Sequence, residues 1–202
     1  IARAADIAAI RQSLAPLIGD RALTFGAVDV VNPSVCAILA QLPEPPGRGL
    51  TAWLRNADGT NNPEGVFVSS ESVMAELWVA NGDRGHLFVM FVTPDGVVHN
   101  IVPPTAQLQD LCCATDRFRR IPVIVDEAER LSDPSRFTFR VTREVIGVSE
   151  LIAVWSDAPF ITEPIGSEEA VEDMAAILER AMAAEGITIR GIERARVIAQ
   201  SQ

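Results

Sequence analysis

The chain has 202 residues, 48% of them hydrophobic, and a formal charge of −10, with no Lys and no Tyr. That length and apolar content suit one sizeable domain, or one domain with a small neighbour, and exclude a disordered chain. The acidic balance argues against nucleic acid and anionic membrane as partners, and the missing Lys removes Schiff-base and P-loop chemistry. No apolar run is long enough to span a bilayer, so no direct membrane insertion is expected. A chain opening at Ile1 without Met is expected to be a fragment or a processed product.

In chain order, residues 2–18 carry Ile7, Ile10, Leu14, Leu17 and Ile18 at helical spacing. Residues 23–31 alternate well enough for a strand. Asn32-Pro33 breaks that strand, and Ser34 is placed to cap a short helix over 35–42. The run Pro43 to Gly49, PEPPGRG, is the clearest linker in the chain. It divides a small α-β-α segment, 1–46, from the remainder, 47–202.

Strands are predicted over 50–54, 66–68 and 72–79, separated by the polar turn 56–64. That turn could offer Asp58, Asn61, Asn62 and Glu64 to Ca²⁺, but it lacks EF-hand spacing, and a plain turn is the favoured reading. Next comes GHLFVMFVTPDGVVHNIVPP, residues 85–104. It reads as two apolar strands doubling back at Asp95-Gly96, a pair that reaches positive φ at little cost. Every residue from Leu87 to Val92 is apolar, the pattern of a strand buried on both faces.

Residues 104–120 read as a long irregular segment holding Cys112 and Cys113, followed by an edge strand over 121–125 that contains Pro122. Two further strands are predicted over 136–141 and 150–155. Ser167 is expected to cap a helix over 167–184, with Glu168 and Glu169 in its first turn and Gly186 beyond its end. Residues 187–199 close the chain as a strand. The whole predicts an α+β fold: a mainly antiparallel β-sandwich with a packed C-terminal helix, preceded by the small α-β-α segment.

Chemistry-bearing constellations are sparse. The histidines, His86 and His99, lack metal-ligand spacing, and GxSxG, CxxC and HExxH are absent. No catalytic residue, cofactor or metal is therefore expected. Cys36, Cys112 and Cys113 are expected to be reduced or merely buried, with one disulfide as the alternative and a metal site the least favoured. Trp53, Trp78 and Trp155 fall in predicted strands, where core packing is the default. Two of them exposed on one sheet face would instead mark a partner or carbohydrate surface.

Two runs carry a family resemblance. GHLFVMFVTPDGVVHNIVP (85–103) and GVSELIAVWSDAPF (147–160) resemble the two blocks of an uncharacterised bacterial domain. That domain is appended C-terminal to serine/threonine protein kinases, caspase-like proteases and envelope proteins. The likeness covers about residues 50–200 and implies a β-sandwich accessory module without assigned catalytic residues. It implies a bacterial signalling or envelope setting, with an extracytoplasmic compartment favoured over the cytoplasm, and a protein or cell-envelope component as partner.

The expected function is thus a non-enzymatic binding or sensory module. Its work is assigned to the loop 105–120, with Cys112, Cys113, Arg117, Arg119 and Arg120, and to the hairpin surface at His99. A structural subunit of a multi-protein assembly and a Cys/His-dependent hydrolase are the alternatives.

Overall fold

A computed structural model describes residues 12–13, 33–43, 49–56, 58–68, 74–80, 83–111, 118–124, 147–184 and 186–200. Gln12 and Ser13 are helical, and the rest of the helix and strand predicted before residue 32 lies outside the described residues. So does the strand predicted over 136–141.

The first full element is helix α1 (Pro33–Leu39). Strands follow as β1 (Leu50–Arg55), β2 (Val66–Val68), β3 (Met74–Ala80), β4 (His86–Val92), β5 (Val97–Val102), β6 (Phe118–Ile124), β7 (Gly147–Ser156) and β8 (Glu168–Ala170). Helix α2 (Val171–Ala183) and strand β9 (Ile189–Gln200) complete the order. Among the described residues this is an α+β fold with two sheets.

The larger sheet runs β2-β9-β7-β4-β5-β8 and the smaller β1-β3-β6. Every pairing is antiparallel except β2 with β9. β4 is interior, between β7 and β5, and buries all of Leu87 to Val92. Alternate residues serve different cores. Leu87, Val89 and Phe91 join a cluster with Leu54, Leu77 and Ile121 of the small sheet. Phe88, Met90 and Val92 join a second cluster with Val35 and Ile38 of α1 and Met174 and Leu178 of α2. Burying such a side chain contributes about 1.5–3 kcal/mol, against about 1–2 kcal/mol for ordering one backbone residue. A fully apolar strand therefore forms only where both faces find a partner, as they do here.

Helix α1 precedes the proline-rich run, yet Val35 and Ile38 are fully buried in the second cluster. The helix before that run and the sheet after it share one core. The helix begins at Pro33, so Ser34 lies inside its first turn rather than capping it from outside. Proline suits that first position, where its missing N–H has no helical acceptor.

The hairpin turn is a three-residue loop. The Thr93 N–H donates to the Val97 carbonyl at 2.9 Å, and Gly96 takes φ +89°. Pro94 supplies the first turn dihedral and Gly96 the left-handed one. The Thr93 hydroxyl lies 2.5 Å from Asp95 Oδ1 and 2.8 Å from the Val97 carbonyl.

Three expectations are corrected. Helix α2 starts at Val171, not Ser167, and its N-cap is Ala170, which gives no side-chain cap. Glu168 and Glu169 lie in β8, paired with His99 and Val98. The open edge of β5 offers these residues a ladder, and the Val171 N–H donates to the Gly96 carbonyl at 2.9 Å, so sheet pairing overrides the capping signal. The segment 104–120 is less irregular than predicted: Leu108–Asp110 forms a 3₁₀ turn, and β6 begins at Phe118. Arg119 and Arg120 are therefore strand residues, in register with Val79 and Trp78. Trp53 does not join the core.

Candidate functional site

The phase of β1 sets the site. Leu50 and Leu54 are buried inward, which sends Thr51, Trp53 and Arg55 to the opposite face of the small sheet. Register places Thr51 beside Trp78 and Trp53 beside Glu76 on β3. Trp53 is 46% exposed and is the one large hydrophobic side chain so exposed among the described residues. Trp78 beside it is half-buried.

A part-buried charge pair lies on the same face. The Arg55 Nε donates to Glu76 Oε2 at 2.9 Å, and the Trp78 indole N–H reaches the same oxygen at 3.4 Å. The Glu76 side chain is only 2% exposed although it stands on the outward phase. Arg55 removes the cost of an unpaired buried carboxylate, and the Trp78 indole stands against the same oxygen. Arg55 Nη1 also donates to Asn61 Oδ1 at 2.5 Å and to the Gly59 carbonyl at 3.4 Å. The face and the turn after β1 are thus one hydrogen-bonded unit. Gly49, Thr51, Trp53, Arg55, Asn61, Trp78, Val79 and Ala80 line an open hollow of about 600 Å³ there.

That turn is internally committed. Asp58 accepts from the Thr60 N–H at 2.9 Å and from its hydroxyl at 2.6 Å, which holds its carboxyl below the usual range. Asn62 accepts from the Gly65 N–H at 3.0 Å and donates to the Val66 carbonyl at 2.9 Å. Gly65 takes φ +64°, and a Cβ there would stand 2.0 Å from the Arg196 carbonyl. Among the described residues no three His, Cys, Asp or Glu side chains are grouped to hold a metal ion. Of the four residues weighed for Ca²⁺, three already accept hydrogen bonds: Asn61 from Arg55, Asp58 from Thr60 and Asn62 from Gly65.

Around the corner, Asn61, Asn62, Glu64, Glu150, Arg194 and Arg196 line a second hollow of about 630 Å³, and Trp53 belongs to both. Glu150 Oε1 accepts from Arg194 Nε at 2.9 Å, while its Oε2 is buried without a hydrogen-bond partner. On the same strand as Arg194, burial pushes the Glu193 carboxyl up, opposed by a hydrogen bond from the Ala52 N–H.

The residues singled out from sequence fare differently. His99 lies 3.2 Å from Glu168, Nδ1 to Oε1, across the β5–β8 ladder. His86 stands at the far end of the hairpin, about 17 Å away along the strand, with Nδ1 buried and unpartnered. The two imidazoles are not brought together. Arg119 and Arg120 fall on β6 beside β3, so Arg120 is the backbone neighbour of Trp78. Cys112, Cys113 and Arg117 lie outside the described residues. Cys36 is exposed on α1 as a free thiol.

Sequence reasoning passed over Arg55 and Glu76, and assigned Trp53 to the core by default. A signal was present: Trp53 shares its phase with polar Thr51 and Arg55, opposite Leu50 and Leu54. No family model, no curated protein and no solved structure matches the chain. The site is accordingly read from its own chemistry. No helix among the described residues is long and apolar enough to cross a membrane.

Proposed function

We propose that this chain is a non-enzymatic binding or sensory module of a larger bacterial envelope or signalling protein, working through the outer face of the small sheet. The observation that carries this reading is Trp53. An indole left 46% exposed on a strand, with a second indole and a neutralised ion pair on the same face, forfeits burial that a core position would have supplied. Exposed aromatics of this kind are the anchors of binding surfaces. The polar groups beside it are engaged with one another, and a nucleophile–base pair is not among them.

The finer fold reading is a sandwich of the two sheets. It is supported by the single apolar cluster drawn from both, with Leu77 and Ile121 on one side and Val89 and Leu151 on the other. The parent setting is supported by the resemblance of residues 85–103 and 147–160 to the accessory domain described above.

The test is an array of glycans and peptides probed with the chain and with Trp53→Ala, run beside a hydrolase and transferase substrate screen. Retention lost in the variant, with no turnover, is the expected outcome. Turnover abolished by Cys113→Ala or His99→Ala overturns the proposal.

A further inference from the structure

We infer that the ligand of this face is a neutral carbohydrate, with one pyranose ring stacked on Trp53. The inference rests on the binding reading above and narrows it to one ligand class.

A pyranose presents a face of C–H bonds and a rim of hydroxyls. The site offers the matching pair of features. The exposed Trp53 indole is an apolar plate whose π-face is electron-rich and attracts polarised C–H groups. Around it in one hollow of about 600 Å³ stand a hydroxyl (Thr51), a carboxamide (Asn61) and a guanidinium (Arg55). Asn61 spends its oxygen on Arg55 and keeps its NH₂ as a donor. That volume lies within the range of small-ligand sites.

Charge decides against the other occupants. Among the described side chains of this face the formal charges are Arg55 and Glu76, which neutralise each other at 2.9 Å. A cationic ligand would find one well-exposed indole rather than a cage among the described side chains, and no free carboxylate to add to it, since Glu76 is 2% exposed and already paired. An anionic ligand would meet a guanidinium whose charge Glu76 already offsets at 2.9 Å, so it gains little there. It would also approach a chain of charge −10. A nucleic-acid base could stack on Trp53, but its phosphates meet the same repulsion. A ligand that is apolar on one face, hydroxylated at its rim and uncharged meets none of these costs.

The test follows the indole N–H signals by NMR during titration with four probes: cellohexaose, chitohexaose, hexagalacturonate and a proline-rich peptide. A neutral hexaose is expected to shift the Trp53 signal and leave that of Trp155, whose buried indole donates to the Arg84 carbonyl at 3.1 Å. Trp53→Ala should weaken that binding roughly tenfold or more, with Trp53→Phe losing less and the melting temperature unchanged in both. A shift with the proline-rich peptide but neither neutral sugar overturns the carbohydrate inference and leaves the binding reading standing. A response to hexagalacturonate alone also overturns it. If no probe moves the Trp53 signal the inference fails, and with blank arrays the binding reading fails too.

Discussion

Glu76 stands where strand alternation sends side chains toward solvent, yet it is almost fully enclosed. The carboxylate is tolerable there because Arg55 reaches it at 2.9 Å and Trp78 adds an N–H. Removing the guanidinium would strand the charge. Arg55→Ala should therefore destabilise the fold by about 3 kcal/mol, the lower end for a broken buried pair, because Arg55 keeps 23% exposure. Arg55→Ala combined with Glu76→Gln should regain most of that loss. Urea unfolding with an unchanged m-value checks both, and equal stability of the single and double variants would refute the account. The strand alternation of β1 was legible at this scale. The enclosure of Glu76 was not, because its partner Arg55 comes from the neighbouring strand, 21 residues away in sequence.

At the scale of elements, sheet pairing repeatedly outweighs local signals. Ser167 with two following glutamates reads as a helix start, but β8 forms there because β5 has an open edge within reach. Asp157 shows the same tertiary control at the junction of β7 and β9. Its carboxylate accepts from the Thr188 N–H at 2.9 Å, and its own N–H donates to the Thr188 carbonyl at 3.1 Å. The first of these bonds holds the Asp157 carboxyl below its ordinary value of 3.8. A depressed carboxylate contributes stability that is present above the unfolded-state value and is lost as pH falls through the folded one. Asp157→Asn should thus melt slightly lower than the native chain at neutral pH, with the gap closing below about pH 4. Melting curves from neutral to acid pH check this, and a gap that widens on acidification would contradict it. The effect is small because the side chain is exposed to solvent.

For the whole molecule, the acidic charge and the two cores set the terms. Ile38 sits before the proline-rich run and is fully buried with Phe88, Met90 and Met174 from beyond it. Ile38→Ala should then cost about 2–5 kcal/mol and shift one cooperative transition rather than a separate early one. Calorimetry checks this, and a biphasic melt would show that α1 unfolds apart from the sheets. The linker signal at 43–49 marks where the backbone must turn, and proline and glycine chemistry is local. Whether the flanking elements share a core depends on long-range packing that such chemistry does not encode.

The residues alone were enough for the strand that buries both faces, its Pro-Asp-Gly turn, a helix ending before Gly186 and the absence of recognisable catalytic motifs. Each follows from periodicity or from dihedral preferences acting within a few residues. Tertiary structure decided which indole stays in water, which carboxylate is enclosed and where α2 begins. Those outcomes depend on the neighbour that pairing brings across the sheet, a residue far away in sequence: Trp53 beside Glu76, and His99 beside Glu168.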